Sequence, residues 1–475
     1  MSVGHMQSPI SKSPMDASLL NRLHTRSEAG HPLRVGLIGA GKFGTMYLSQ
    51  AHRVQGLHVA GVADLSKERI REAFLCAEWP EEQTDARDMD LAIKTGATWQ
   101  TEDSMALIRA DEIDVIIEAT GDPIVGARHA MAAIYHGKHI VMVNVEADVL
   151  VGPLLAQNAE KAGVVYSLAY GDQPALICEL TDWARMNGFE VVCAGKGNKF
   201  LPAYHASTPD TVWDYYGFTP EQIEKGGFNP ILFNSFLDGT KAAIEMAAVA
   251  NATGLKPQPH GLGFPPGGIN DIPNICRPES DGGILSHSGT VEVVSSLHRD
   301  GRPVERDLRW GVYITFSAPS EYVQRCFGEY GVQTDSTGQY GLLYRPIHFV
   351  GLELNVSVLR AGLNGQATGC PTGFLGDIVT IAKRDLAAGE VLDGEGGYLV
   401  YGALRPAADG LKTGHLPIGL ARGMRLARPV AAERPVRWSD IMFVGTYPII
   451  KLRRNMEKMF SGKPLYIPKI MPLPS

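Results

Sequence analysis

The stretch from Arg34 to Asp64 narrows the possible folds more than any other part of the chain. Arg34-Val-Gly-Leu-Ile38 is a short apolar run that reads as a buried parallel strand. Gly39-Ala-Gly41-Lys-Phe-Gly44 follows as a turn, a helix is expected over 45–54, and a second strand over 57–63. Asp64 closes that strand, 20 residues after Gly44. Each glycine meets a geometric need: Gly39 the tight turn, Gly41 a close approach of backbone to a ligand, Gly44 the packing of helix on strand.

A G-x-G-x-x-G alone is weak, but between a strand and a helix, with an acid at the end of the next strand, it predicts a Rossmann domain that binds NAD or NADP. The helix start supplies free N–H groups and a partial positive charge for phosphates. Gly39, Gly41, Lys42, Phe43 and Gly44 form the first part of the expected cofactor site. Asp64 is placed to accept from the ribose 2′-hydroxyl and would repel a 2′-phosphate, which favours NAD; Ser66, Lys67 and Arg69 could instead hold that phosphate. Two further strand ends, Glu118-Ala-Thr-Gly121 and Asn144-Val-Glu-Ala-Asp148, face the same crevice. Thr120, Gly121, Asn144 and Glu146 are therefore candidates for the nicotinamide ribose, with ordinary caps and turns as the alternative.

Strands and helices alternate onward: helical character over 67–94, a strand over 114–118, a helix over 124–136, a strand over 139–143, a helix over 156–162 and a strand over 164–167. This predicts an α/β fold with a parallel sheet. Beyond 173 the texture shifts to strands and Gly/Pro-rich loops around a helix at 239–252, and a β-rich unit begins near 376. The expected organisation is an N-terminal extension (1–32), a Rossmann domain (33–172), an α+β substrate domain (173–372), a β-rich unit (373–442) and a tail (443–475) with a basic helix over 451–458.

The 475 residues carry a formal charge of −7 with no strongly basic block, which gives no electrostatic support for a nucleic-acid partner. No apolar run is long enough to span a membrane, the first 30 residues lack the pattern of a signal peptide, and six scattered cysteines without a C-x-x-C read as reduced thiols. A cytoplasmic enzyme acting on a small molecule is expected. An open sheet in the substrate domain makes a homo-oligomer the expected assembly.

Hydride transfer at a carbonyl needs a proton donor or acceptor and fixed charge near the oxygen. Lys196, in Ala194-Gly-Lys-Gly197, is the first candidate, its alternative being a surface turn lysine. Asp172 and Glu179 lie two helical turns apart and could bind substrate hydroxyls, hold a divalent cation, or simply cap and pair. His205 lies in a loop where a structural role is the alternative. Lys241 and Glu245 are spaced i, i+4 on the expected 239–252 helix, a spacing that usually makes a surface salt bridge.

Five segments carry a resemblance: Gly36-Leu-Ile-Gly-Ala-Gly41, Val143-Asn-Val-Glu-Ala-Asp148, Tyr166-Ser-Leu-Ala-Tyr-Gly-Asp172, Ala194-Gly-Lys-Gly197 and Ile244-Glu-Met-Ala-Ala-Val-Ala-Asn-Ala-Thr-Gly254. Through them the chain resembles the homoserine-dehydrogenase-like oxidoreductases that carry a C-terminal SAF domain. It is also similar to the 1-deoxy-D-xylulose 5-phosphate reductoisomerase-like (DXR-like) enzymes. Thr380 to Leu392, Leu416 to Gly423 and Pro435 to Ile441 resemble a SAF domain. SAF domains occur in sialic acid synthases and altronate-dehydratase-type proteins, which implies a polyhydroxylated substrate by analogy. The expectation is an NAD(P)-dependent oxidoreductase of a small polyhydroxylated aldehyde, ketone or alcohol, phosphorylated or not. Two rivals are a reductoisomerase of a sugar phosphate, which would need a divalent cation, and a regulatory or assembly protein that senses the cofactor without turnover.

Overall fold

The structure is a computed structural model that describes residues 18–442 and 447–461. Most of the N-terminal extension and much of the tail lie outside the described residues.

Six strands form the first sheet: β1 (Leu33–Ile38), β2 (Leu57–Ala63), β3 (Trp99–Thr101), β4 (Val115–Glu118), β5 (His139–Met142) and β6 (Tyr166–Leu168). Their order is β3-β2-β1-β4-β5-β6, and every pairing is parallel. The strands are apolar on both faces because helices cover both; Val35, Leu37, Ile116, Ile117 and Val141 are fully buried. The order reverses between β1 and β4, so the carboxyl ends of the strands open a crevice there.

The expected elements are present with four corrections. The fingerprint helix starts at once after Gly41 and spans Lys42–Ala51. The 67–94 stretch breaks into helices Lys67–Cys76 and Met89–Thr95, each started by a side-chain cap, Ser66 and Asp88. β3, which follows, had not been anticipated. The helix expected over 156–162 begins at Val145 and runs to Ala162 with Pro153 inside it.

Within that helix Asp148 is fully buried and accepts from the Tyr166 hydroxyl at 2.8 Å, while burial pushes its carboxyl up to about 7. In the unfolded chain it would ionise near pH 4. Its contribution to stability is thus greatest below that pH and declines as pH rises to about 7. Asp148→Asn is expected to remove this decline, read as a melting temperature that converges with wild type at low pH and differs by several degrees at pH 8.

A second sheet follows, with strands β7 (Glu190–Asn198), β8 (Lys256–Pro257), β9 (Thr290–Ser295), β10 (Val312–Ser317) and β11 (Tyr340–Arg345) in the order β11-β10-β7-β9-β8. Helices Gln173–Met186 and Thr240–Thr253 pack on each other and on this sheet. The SAF-like unit is built on the antiparallel pair β12 (Gly376–Ala382) and β13 (Val400–Pro406), with a small pair β14 (Arg425–Leu426) and β15 (Ile441–Met442). Asn251 joins the two regions: its side chain accepts from Leu375 and Gly376 N–H at 2.7 and 2.9 Å. The basic helix expected in the tail spans Pro448–Ser461. Its buried Arg453 donates to Asp377 at 2.6 Å, Glu457 at 2.8 Å and the Leu150 carbonyl at 3.0 Å, fastening the helix to the cofactor domain and β12.

Candidate active site

The crevice beside β1 and β4 is a cleft of about 280 Å³ lined by Gly39, Gly41, Asp64, Arg69, Thr120 and Arg128, among others. Gly39 has φ +106°, and a Cβ there would lie 2.6 Å from the Ala119 carbonyl oxygen. At Gly44 a Cβ would collide with the Gly39 carbonyl. Gly41 differs: a Cβ would meet nothing within 4 Å, and as the helix N-cap it makes no side-chain cap. The free amides of the helix start therefore face open space where a pyrophosphate would sit.

Asp64 has a side chain 7% exposed; one carboxylate oxygen accepts from Ala40 N–H at 2.8 Å. The other has no hydrogen-bond partner and only the Arg69 guanidinium, at 3.5 Å. Lys42 is exposed and lies 5.4 Å over the Phe228 ring, and Phe43 packs against the core of the cofactor domain.

The nicotinamide-side candidates divide. Thr120 lines the cleft and donates to Glu118 at 2.5 Å; Gly121 follows with φ +75° and space around it. Asn144 is buried and acts as a cap, accepting from Ala147 N–H at 3.1 Å and donating to the Asp122 carbonyl at 2.8 Å. Glu146 pairs instead with Lys241, across the seam between the first and second domains. A network that sequence reasoning missed lies in the cleft wall. Buried Glu118 faces His129 Nδ1 at 3.3 Å, and His129 Nε2 meets Ser104 Oγ at 2.8 Å.

The candidates for chemistry converge to a large extent. Lys196, 6% exposed, donates to Gln173 at 2.5 Å and pairs with Glu245. It is not the surface turn lysine of the alternative reading, because it lies inside β7 under the two helices. The expected i, i+4 bridge between Lys241 and Glu245 does not form: burial sends each to a partner on another element, Lys241 to Glu146 and Glu245 to Lys196. Asp172 caps the Gln173–Met186 helix, accepting from Gln173 N–H at 2.8 Å. Burial first, then Glu245, push its carboxyl up, and Lys241 opposes this. Burial alone would lower Lys241, but Glu146, then Glu245, Asp172 and Glu395, outweigh it and hold its pKa above the ordinary lysine value. The result is a buried ionic cluster joining cofactor domain, second domain and SAF-like unit.

Two candidates stand apart. Glu179 faces outward, accepting from the Tyr170 hydroxyl at 2.5 Å with Arg360 at 3.8 Å. Asp172, the N-cap of the same helix, is by contrast buried. His205 is largely buried rather than an exposed loop residue. Its Nδ1 meets the Asp238 carbonyl at 2.8 Å and its ring stacks on Tyr401 at 4.4 Å; burial lowers its pKa. Among the described residues no group of three His, Cys, Asp or Glu side chains is arranged to hold a metal ion, and no helix is long and apolar enough to cross a membrane.

Comparison with known families matches three successive segments. Residues 35–168 match the NAD-binding domain of homoserine dehydrogenase, 171–354 the catalytic domain of oxidoreductase DRL, and 379–442 the SAF domain. No curated protein matches the chain significantly. Solved structures resemble it at low similarity. Biliverdin reductase from Synechocystis, in complex with biliverdin and NADP+, is 18% identical over 37% of this chain and 51% of its own, with a TM-score of 0.25. Myo-inositol dehydrogenase from Lactobacillus casei, in complex with NAD(H) and myo-inositol, is 17% identical over 38% and 50%, with a TM-score of 0.26. A probable dehydrogenase from Thermotoga maritima is 14% identical over 72% and 91%, with a TM-score of 0.34. The matched segment spans about half the length of the first two.

Proposed function

We propose that this NAD(P)-dependent oxidoreductase moves a hydride between the nicotinamide and a small polyhydroxylated aldehyde, ketone or alcohol. It combines a homoserine-dehydrogenase-type cofactor domain, a DRL-type catalytic domain and a SAF domain. The observation that carries the reading is the buried cluster of Lys196, Lys241, Asp172, Glu245 and Glu146, which links the cofactor domain to the catalytic domain. The bound nicotinamide supplies or accepts the hydride; the chain supplies charge and protons. Lys196 has three N–H donors, and Gln173 and Glu245 take two, which leaves one for a substrate oxygen. Lys241, held charged by its carboxylates, stabilises an oxygen that gains negative charge. Asp172, its carboxyl pushed up by burial, suits hydrogen bonding to a substrate hydroxyl.

NAD is the preferred cofactor in this reading, because the Asp64 carboxylate, one oxygen of which makes no hydrogen bond and has only Arg69 at 3.5 Å, suits a 2′-hydroxyl and repels a 2′-phosphate. Asp64→Ala is expected to narrow the preference for NADH over NADPH by about tenfold or more, roughly 1.4 kcal/mol, measured by nicotinamide fluorescence. An unchanged preference would remove Asp64 from this role. The function itself is tested by a cofactor-reduction screen across polyols, sugar acids and sugar phosphates. Turnover of one class supports it. Tight cofactor binding without turnover on any would favour the sensing alternative.

A further inference from the structure

Glu395 belongs to the SAF-like unit, in the connection between β12 and β13, yet it enters the ionic cluster. It lies in Asp393-Gly-Glu-Gly-Gly397, where Gly394 and Gly396 adopt φ of +81° and +67°. The backbone runs so close to the preceding domain that a Cβ on Gly396 would collide with the Ile231 carbonyl. Asn234 donates to the Gly396 carbonyl at 2.9 Å, and Asp393 accepts from Leu399 N–H at 3.1 Å. The unit is also tied to the helix that carries Lys241: Gly402 N–H donates to Thr240 Oγ1 at 2.8 Å. Lys383, at the end of β12, pairs with Asp238 at 2.8 Å just before that helix. The segment is thus held at several points, and it delivers one carboxyl to the seam.

We propose that the SAF unit completes the active site by lending Glu395, a positioning residue that shares Lys241 with Glu146 and sets the charge the cluster carries during hydride transfer. The assignment rests on the reading of the cluster as the catalytic centre. Glu395 and Glu146 line one cavity of about 10 Å³, roughly the space for one water, which Asp377 and Arg453 also line. Ser235, whose hydroxyl donates to the Leu232 carbonyl at 2.9 Å, favours the ionised form of Glu395, and Asp238 is the remaining acid that opposes it. The cluster then holds four carboxyl groups, Asp172, Glu146, Glu245 and Glu395, against the two ammonium groups of Lys196 and Lys241. All four cannot ionise cheaply in a buried site, so a proton is retained. Burial, then the Glu146 carboxylate, push Glu395 up to about 8, which makes it a holder of that proton at neutral pH. Ionised, it would add a further anion near Lys241 and oppose charge build-up on the substrate oxygen.

The test is Glu395→Gln, which imitates the protonated carboxyl in shape and charge. Wild-type carbonyl reduction is expected to lose kcat/KM by about tenfold per pH unit above roughly pH 8, and E395Q to lack that limb. NADH affinity should stay within about twofold, since the glycine fingerprint is untouched. The same limb in E395Q as in wild type would overturn the assignment. A second measurement needs no substrate: melting temperatures of wild type, E395Q, Lys241→Met and the double variant at pH 6 and pH 9. Lys241→Met is expected to cost less in the E395Q background, and the difference to grow at pH 9, where Glu395 is ionised. Should no substrate turn over, the catalytic reading fails and this cycle alone decides: coupling upholds Glu395 as Lys241's partner, additivity overturns it.

Discussion

Lys196→Met is expected to lower kcat/KM for hydride transfer by about 10² to 10⁴, the range for loss of a positioned proton donor or acceptor. NADH affinity should hardly change, because the fingerprint and Asp64 lie on the other domain. The variant also leaves Glu245, 4% exposed, without its cation. Removing one member of a buried pair costs about 3–5 kcal/mol, less whatever Glu245 recovers by taking up a proton. A fall in activity could therefore reflect a loosened fold. Lys196→Met combined with Glu245→Gln separates the two, since it removes the uncompensated charge. The double variant should regain most of the lost melting temperature and none of the lost rate. Recovery of rate along with stability would mean that Lys196 is structural, and the proton donor would have to be sought at Lys241.

The second large effect is expected at Gly41, where fold and ligand demands separate. Gly41→Asp adds a side chain into open space on a backbone of φ −74° and ψ −164°, which any residue adopts. Its melting temperature should stay within a few degrees of wild type. The added carboxylate stands where the pyrophosphate would approach, so NADH affinity should fall by about 100-fold or more, equivalent to roughly 2.7 kcal/mol. Gly44→Ala should do the opposite, because its Cβ meets the Gly39 carbonyl and the strand–helix packing must give way first. Undiminished NADH binding by Gly41→Asp, measured by fluorescence titration, would show that the cofactor does not use this turn.

Much of the first domain was legible because its signals are local. The apolar runs that became β1, β2, β4 and β5 sit within a residue or two of their expected limits. β3 was missed because Trp99-Gln-Thr101 has neither the length nor the alternation that marks a strand; pairing with β2 makes it one. The Val145–Ala162 helix was expected too short because Pro153 reads as a breaker. Asn144 caps its start and the Lys241 pair anchors its first turn, so the helix forms across the proline. Glu395 carried a faint local signal, an acid set among Asp393, Gly394, Gly396 and Gly397, but nothing nearby says which cluster it joins.

The sequence by itself determined the strand–turn–helix of the fingerprint, the acid at the end of β2 and the order of cofactor, catalytic and SAF-like units. Those features depend on backbone conformations and apolar periods that neighbouring residues set. Tertiary structure alone decided which charges meet. Lys196 takes Glu245 across 49 residues and Lys241 takes Glu146 across 95, while the i, i+4 neighbours Lys241 and Glu245 do not pair. In water such pairings would be nearly equivalent. Inside a packed seam desolvation makes an unpaired charge costly, so the docking of three units selects the partners.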